Sequence, residues 1–224
     1  MILSSTMNGQ NKTALINDMV GFGMNLFERT SEKNLNRRLS WMNEPESWGF
    51  DDEKLHVDVP ESADFFQDPA GVNVRSSAPF LYCDAEGNFS LTARVAVEML
   101  DAYDSGCIMV MVDHKNWAKL CFELVNQIPT IVSVVTTNIF DNCISGKIGK
   151  AKPYLRVLRA GNCFGCHYSL DAIKWTLVRF FGMDAPTKVK IGVVGQCPVG
   201  KGTKVRFESF DFEMSKNSDA RVID

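Results

Sequence analysis

The run that decides the fold is CIMVMV at 107–112, DHKN at 113–116, WAKLCFELV at 117–125, NQIP at 126–129 and TIVSVVTT at 130–137. The first piece is continuously apolar and short, which predicts a strand buried on both faces. The polar clusters Asp113-His114-Lys115-Asn116 and Asn126-Gln127-Ile128-Pro129 predict turns. Between them, Ala118, Leu120, Phe122 and Leu124 alternate with Trp117, Lys119, Cys121 and Glu123, the period-two signature of a strand with two unlike faces. The apolar set is expected to pack a core. The mixed set is expected to face solvent or line a groove.

Outward from this run the same grammar persists. Leu55, Val57 and Val59 alternate with polar neighbours, and Phe89, Leu91, Ala93, Val95 and Val97 do likewise. Further strands are predicted at 154–159, 162–168, 175–181, 189–194 and 203–213. Gly192, Gly195, Gly200 and Gly202 read as hairpin turns. About ten short strands with turn signals every 8–12 residues predict an all-β sandwich of two sheets. One segment differs: Leu15, Met19, Phe22 and Leu26, three and four apart, predict a short amphipathic helix within residues 12–30. The expected organisation is an N-terminal extension at 1–34, one sandwich at 35–214 and a tail at 215–224.

The composition is that of an ordinary globular chain. It has 224 residues, 45% hydrophobic and 23% charged, long enough to bury one sizeable core without disulfides or metals. With 24 Lys+Arg against 27 Asp+Glu, the net charge of -3 supplies no global attraction to nucleic acid or anionic membrane. No stretch has the ~20 consecutive apolar residues of a membrane-spanning helix, and the start of the chain lacks the grammar of a signal peptide. Seven cysteines, an odd number scattered through strand-like runs, fit reduced thiols in a cytoplasmic setting. In that setting the sequons Asn11-Lys12-Thr13 and Asn88-Phe89-Ser90 carry no meaning.

Several blocks, taken in order, resemble a known family. They are LSWMNEP at 39–45, Asp64-Phe65-Phe66, YDSG at 103–106, VMVDHKNWAK at 110–119 and SVVTTN at 133–138. LRV at 155–157, YSLD at 168–171, WTLVR at 175–179 and FESFDF at 207–212 follow. The chain is similar over residues 35–214 to the domain of unknown function whose fungal members are described as regulators of enolase. The resemblance implies a concanavalin A-like jelly roll of two antiparallel sheets, the fold of lectins and glucanases. It implies no agreed activity, because fold does not dictate function.

Several motifs invite chemistry. Cys163-Phe164-Gly165-Cys166-His167 spells the haem-attachment pattern, but on a strand its two cysteines point to opposite faces. A structural zinc would need a second ligand pair, which only Cys143 and Cys197 could supply, so no metal or other cofactor is expected. Glucanases of this superfamily carry alternating carboxylates on one strand. The nearest match is Glu208, Asp211 and Glu213, where period two sends Glu208 to the opposite face from the other two. No catalytic residue is assigned.

The expected function is therefore non-catalytic recognition of a carbohydrate or sugar-derived metabolite on the concave sheet. Trp117 would stack on the sugar, and Lys119, Glu123, Arg156 and His167 would contact its polar groups. The first alternative is a regulatory module linked to carbohydrate metabolism that binds a protein partner through the N-terminal helix. The second is a glycoside hydrolase.

Overall fold

The computed structural model describes residues 23–149, 151–216 and 218–222. Their strands are β1 (Met24–Asn25), β2 (Ser40–Met42), β3 (Trp48–Asp51), β4 (Lys54–Val59), β5 (Phe65–Gln67), β6 (Val74–Ser76), β7 (Phe80–Glu86), β8 (Phe89–Val97) and β9 (Ser105–Asp113). After them come β10 (Asn116–Val125), β11 (Ile128–Thr137), β12 (Ile139–Lys147), β13 (Tyr154–Ala160), β14 (Cys163–Ser169), β15 (Thr176–Gly182), β16 (Lys188–Gln196) and β17 (Thr203–Met214). An eight-stranded sheet runs β15-β14-β13-β8-β17-β4-β3, with β1 also paired to β17. A seven-stranded sheet runs β12-β11-β10-β9-β16-β7-β2, and β5 with β6 forms a separate ribbon. Every pairing is antiparallel. The two-sheet sandwich is thus the one the periodicity predicts.

Gly106 tells which faces meet. A Cβ there would strike Val95, Val97 and Val205, all on the eight-stranded sheet. Gly106 pairs with Phe122 and Gly195, so these residues and their period-two neighbours form the inner face of the seven-stranded sheet. Ala118, Leu120, Phe122 and Leu124 are therefore on the inner face, as predicted. Opposite them, Leu91, Ala93, Val95, Phe207 and Phe210 are buried from the other sheet.

The structure corrects several local expectations. Gly192 and Gly195 are not turns but lie within β16. They are points of close approach, because a Cβ would run into the Leu81 carbonyl at Gly192 and into Val59 at Gly195. The second turn is only Asn126-Gln127, both at positive φ (49° and 64°), and Ile128-Pro129 already belongs to β11. Of the helix expected within 12–30, residues 12–22 lie outside the described residues. From Gly23 the chain forms β1 and a turn, and no helix occurs among the described residues. Leu26 and Phe27 enter the core, Phe27 lying against Phe50 and Phe210 at centroid distances of 5.2 and 5.5 Å.

Cys143 and Cys163 are exposed, whereas Cys83, Cys107, Cys121, Cys166 and Cys197 are buried. Cys107 and Cys121 face one another across β9 and β10. No helix among the described residues is long and apolar enough to cross a membrane.

Candidate functional site

Trp117, Lys119, Cys121 and Glu123 lie on the outer face of the seven-stranded sheet, yet they are buried. The ribbon covers them. The Phe65 ring sits 6.2 Å from both Trp117 and Phe80, and Phe66 lies 5.0 Å from Phe140 on β12. Gln67 Nε2 donates to the Asn138 carbonyl at 2.8 Å, and Arg75 Nη1 donates to that of Pro198 at 2.9 Å. The mixed face expected to meet solvent or line a groove is instead a second, polar core.

Lys119 is its hub. Only 4% exposed, its Nζ donates to the Phe65 carbonyl at 2.8 Å and to Gln196 Oε1 at 2.7 Å, and lies 3.7 Å from Asp64 Oδ1. Gln196 Nε2 in turn donates to Asp64 Oδ1 at 3.0 Å. The same ammonium sits 5.6 Å from the Trp117 ring centroid. Burial pushes the Asp64 carboxyl upward, opposed by Lys119 and Arg75. Glu123, 7% exposed, is pushed up to about 7 by burial, with Lys119 opposing and Asp64 reinforcing.

Arg156 and His167 are elsewhere. They pair directly, on β13 and β14 of the eight-stranded sheet, and face outward because their neighbours Leu155, Val157 and Cys166 face the core. The five residues expected to share one groove are therefore divided between the outer faces of opposite sheets. Sequence spacing could not reveal this, because β10 and β13 belong to different sheets.

Around Arg156 and His167 lies an open cavity of about 440 Å³, also lined by Ala172, Ile173, Trp175, Leu177 and Arg221. Each wall has a local cause. Asp171 Oδ1 accepts from Ser169 Oγ and from the backbone N–H groups of Ile173 and Lys174, closing a turn after β14. That turn delivers Trp175, over whose ring the Arg156 guanidinium stacks at 3.8 Å. Arg156 Nε donates to Thr92 Oγ1 at 2.8 Å. A register shift between Cys166 and His167 lets β15 set Leu177 opposite His167.

The last wall is the segment 219–222. Ala220 is buried with its carbonyl where a Cβ on Gly165 would otherwise stand, so only glycine admits it. The Arg221 carbonyl is 3.2 Å from His167 Nε2, and the Arg221 guanidinium, paired with Asp219, lies 5.3 Å from the Phe180 centroid. His167 is 2% exposed, with Nδ1 buried and unpartnered. Burial lowers its pKa, against the pull of the Arg221 carbonyl. Trp175 and Arg221 were not singled out from sequence. The pattern at 175–181 predicts Trp175 only as the start of a strand, and nothing local marks Arg221.

Of the carboxylates weighed for hydrolysis, Glu208 is held in ion pairs. A register shift in β17 between Phe207 and Ser209 turns both Phe207 and Phe210 inward. Glu208 thereby reaches Arg94 (3.2 Å) and Lys152 (2.7 Å). Arg94 is on the outer face, so the bulge cancels the expected separation of Glu208 from Asp211 and Glu213. In the haem-like motif, Cys163 is exposed and Cys166 buried, on opposite faces as expected. Among the described residues no group of three or more His, Cys, Asp or Glu side chains is placed to hold a metal ion.

Comparison with known proteins follows this geometry. The chain is 26% identical over 172 residues to "Regulation of enolase protein 1" of Saccharomyces cerevisiae, covering 76% of this chain and 87% of that one. Its fold is similar to that of a functionally unknown Saccharomyces cerevisiae protein, with a TM-score of 0.74 and 24% identity over 80% of this chain and 98% of that one. It is also similar to part of a GH43 protein from Bacillus licheniformis, with a TM-score of 0.67 and 11% identity over 85% of this chain and 39% of that one. The lectin I-B4 of Griffonia simplicifolia matches with a TM-score of 0.53 and 8% identity over 86% of this chain and 99% of the lectin. At these identities the solved structures establish the jelly-roll fold alone. Residues 41–215 match the family described as "Protein of unknown function (DUF1349)", and the chain belongs to that family.

Proposed function

We propose that this protein recognises a carbohydrate or sugar-derived metabolite, without transforming it, in the cavity bounded by Arg156, His167, Trp175 and Arg221. The observation that carries this reading is the composition of the cavity wall. A half-buried aromatic ring and the apolar Leu177 and Ile173 stand beside the Arg156 guanidinium, whose terminal nitrogens have no acceptor among the described residues. A sugar ring needs that combination, an apolar surface for its C–H face and fixed polar groups for its hydroxyls. The jelly-roll fold shared with a lectin supports it. Trp117, Lys119 and Glu123 lie on the other sheet beneath the ribbon and are left out of the proposed contacts.

The test is a thermal-shift screen of the full chain against mono- and oligosaccharides and their derivatives. A ligand at ten times its Kd raises stability by about 1.4 kcal/mol, a shift of roughly 3 °C or more. Trp175→Ala should abolish the shift while leaving the unliganded midpoint within about 2 °C. A flat screen across all sugars would refute the reading.

A second reading has its own observation. Ile173 (80% exposed), Leu177 and Phe180 (45%) present apolar surface on and beside β15, an edge strand of the eight-stranded sheet. Given the name of the yeast relative, this edge would dock a regulated protein. Sedimentation of the chain with purified enolase tests it: a complex lost in Phe180→Asp supports the edge, and independent sedimentation rejects it.

A further inference from the structure

Resting on the sugar-binding reading above, we infer that the ligand of this cavity is an acidic sugar derivative, its anionic group held by Arg156. Among the described residues the lining holds two guanidinium groups and one imidazole and no carboxylate. Hydroxyl groups of a neutral sugar need acceptors as well as donors, and arginine offers donors only. A wall this rich in donors matches a ligand that brings its own acceptors.

The individual atoms sharpen the assignment. Arg156 spends Nε on Thr92, and its two terminal nitrogens have no protein acceptor among the described residues. They form the planar fork that suits a carboxylate or a phosphate oxygen pair. Arg221 is less available, because Nε and Nη2 already serve Asp219. His167 adds no ligand contact: its Nε2 lies 3.2 Å from the Arg221 carbonyl and its Nδ1 is buried. The wall thus offers a free donor fork, a pattern met by a sugar that carries an acid group.

Burial lowers the Arg156 pKa, opposed by Glu213 and then by Asp211. Asp211 pairs with Thr92, which pairs with Arg156, so their backbones stand two strand spacings apart, ~10 Å. Two kinds of ligand share this chemistry, sugar phosphates and uronic acids.

Isothermal titration of the full chain with glucose and galactose, their 6-phosphates and their uronic acids separates these cases. At least one acidic form is expected to bind about tenfold or more tightly than its parent sugar. Preference for the phosphates or for the uronates identifies the source, and either supports the inference. Arg156→Gln should bring the acidic form down to the level of the parent, with Arg156→Lys intermediate. A matching unliganded melting midpoint confirms that each variant is folded. Parent sugars binding as tightly as their acids would overturn this inference and leave the sugar-binding reading standing. No heat with any of the six would overturn both.

Discussion

Lys119 shows how far a residue's role can depart from its sequence context. On paper it is a charge on the wet side of an alternating strand. In the fold it is a buried ammonium whose two donated hydrogen bonds hold the ribbon (through the Phe65 carbonyl) and β16 (through Gln196) against β10. Removing one partner of such a network leaves the others buried and unpaired, so Lys119→Ala should cost about 3–5 kcal/mol in urea unfolding. Lys119→Met, which keeps the stem, should cost less.

Glu123 makes the converse point, because its burial is a standing cost. The native carboxyl holds its proton up to about pH 7, while the unfolded chain releases it near the ordinary 4.5. The native state therefore binds the extra proton between those values, and stability falls as pH rises through that window, by up to about 3 kcal/mol. Glu123→Gln should remove this fall. Unfolding at pH 4.5 should show little difference from the parent, and at pH 8 the variant should be more stable by about 1–3 kcal/mol.

Among the elements, the ribbon of β5 and β6 is what the periodicity could least foresee. A three-residue strand gives almost no periodic signal. With its ring fully buried against Trp117 and Phe80, Phe65→Ala should cost about 3–5 kcal/mol. In a background where the other three tryptophans are phenylalanine, it should also shift Trp117 emission to the red. β12 escaped prediction for another reason. It is an edge strand whose side chains are mostly exposed, so IFDNCISGK has no buried face to impose alternation. Most of the longer strands were readable because burial on one or both faces writes period two, or an unbroken apolar run, into them, whereas β7 went unpredicted although it too has a buried face.

Across the whole molecule, the sandwich and its inner faces followed from the sequence, and the placement of polar residues did not. Which strands neighbour one another is decided by sheet assignment, and no local pattern records it. The expected site accordingly split in two, Arg156 and His167 keeping a cavity while Trp117, Lys119 and Glu123 became interior. The cavity also depends on residues brought from a distance: Arg221 arrives from beyond β17, admitted by the missing side chain at Gly165.

The distribution of thiols equips the chain with its own gauge of opening. Cys143 and Cys163 should react with a thiol reagent in the folded protein at once. Burial pushes Cys83 and Cys166 up to about 12 and Cys197 up to about 11, and it closes off Cys107 and Cys121. Native labelling should therefore count two groups and denatured labelling seven. Cys166 reports the eight-stranded sheet, Cys83 the inner face of the other, and Cys107 and Cys121 the ribbon-covered outer face of that second sheet. The order in which mass spectrometry finds these four modified under mild denaturant would tell which layer of the sandwich loosens first. Simultaneous modification would mean that the layers part as one cooperative unit.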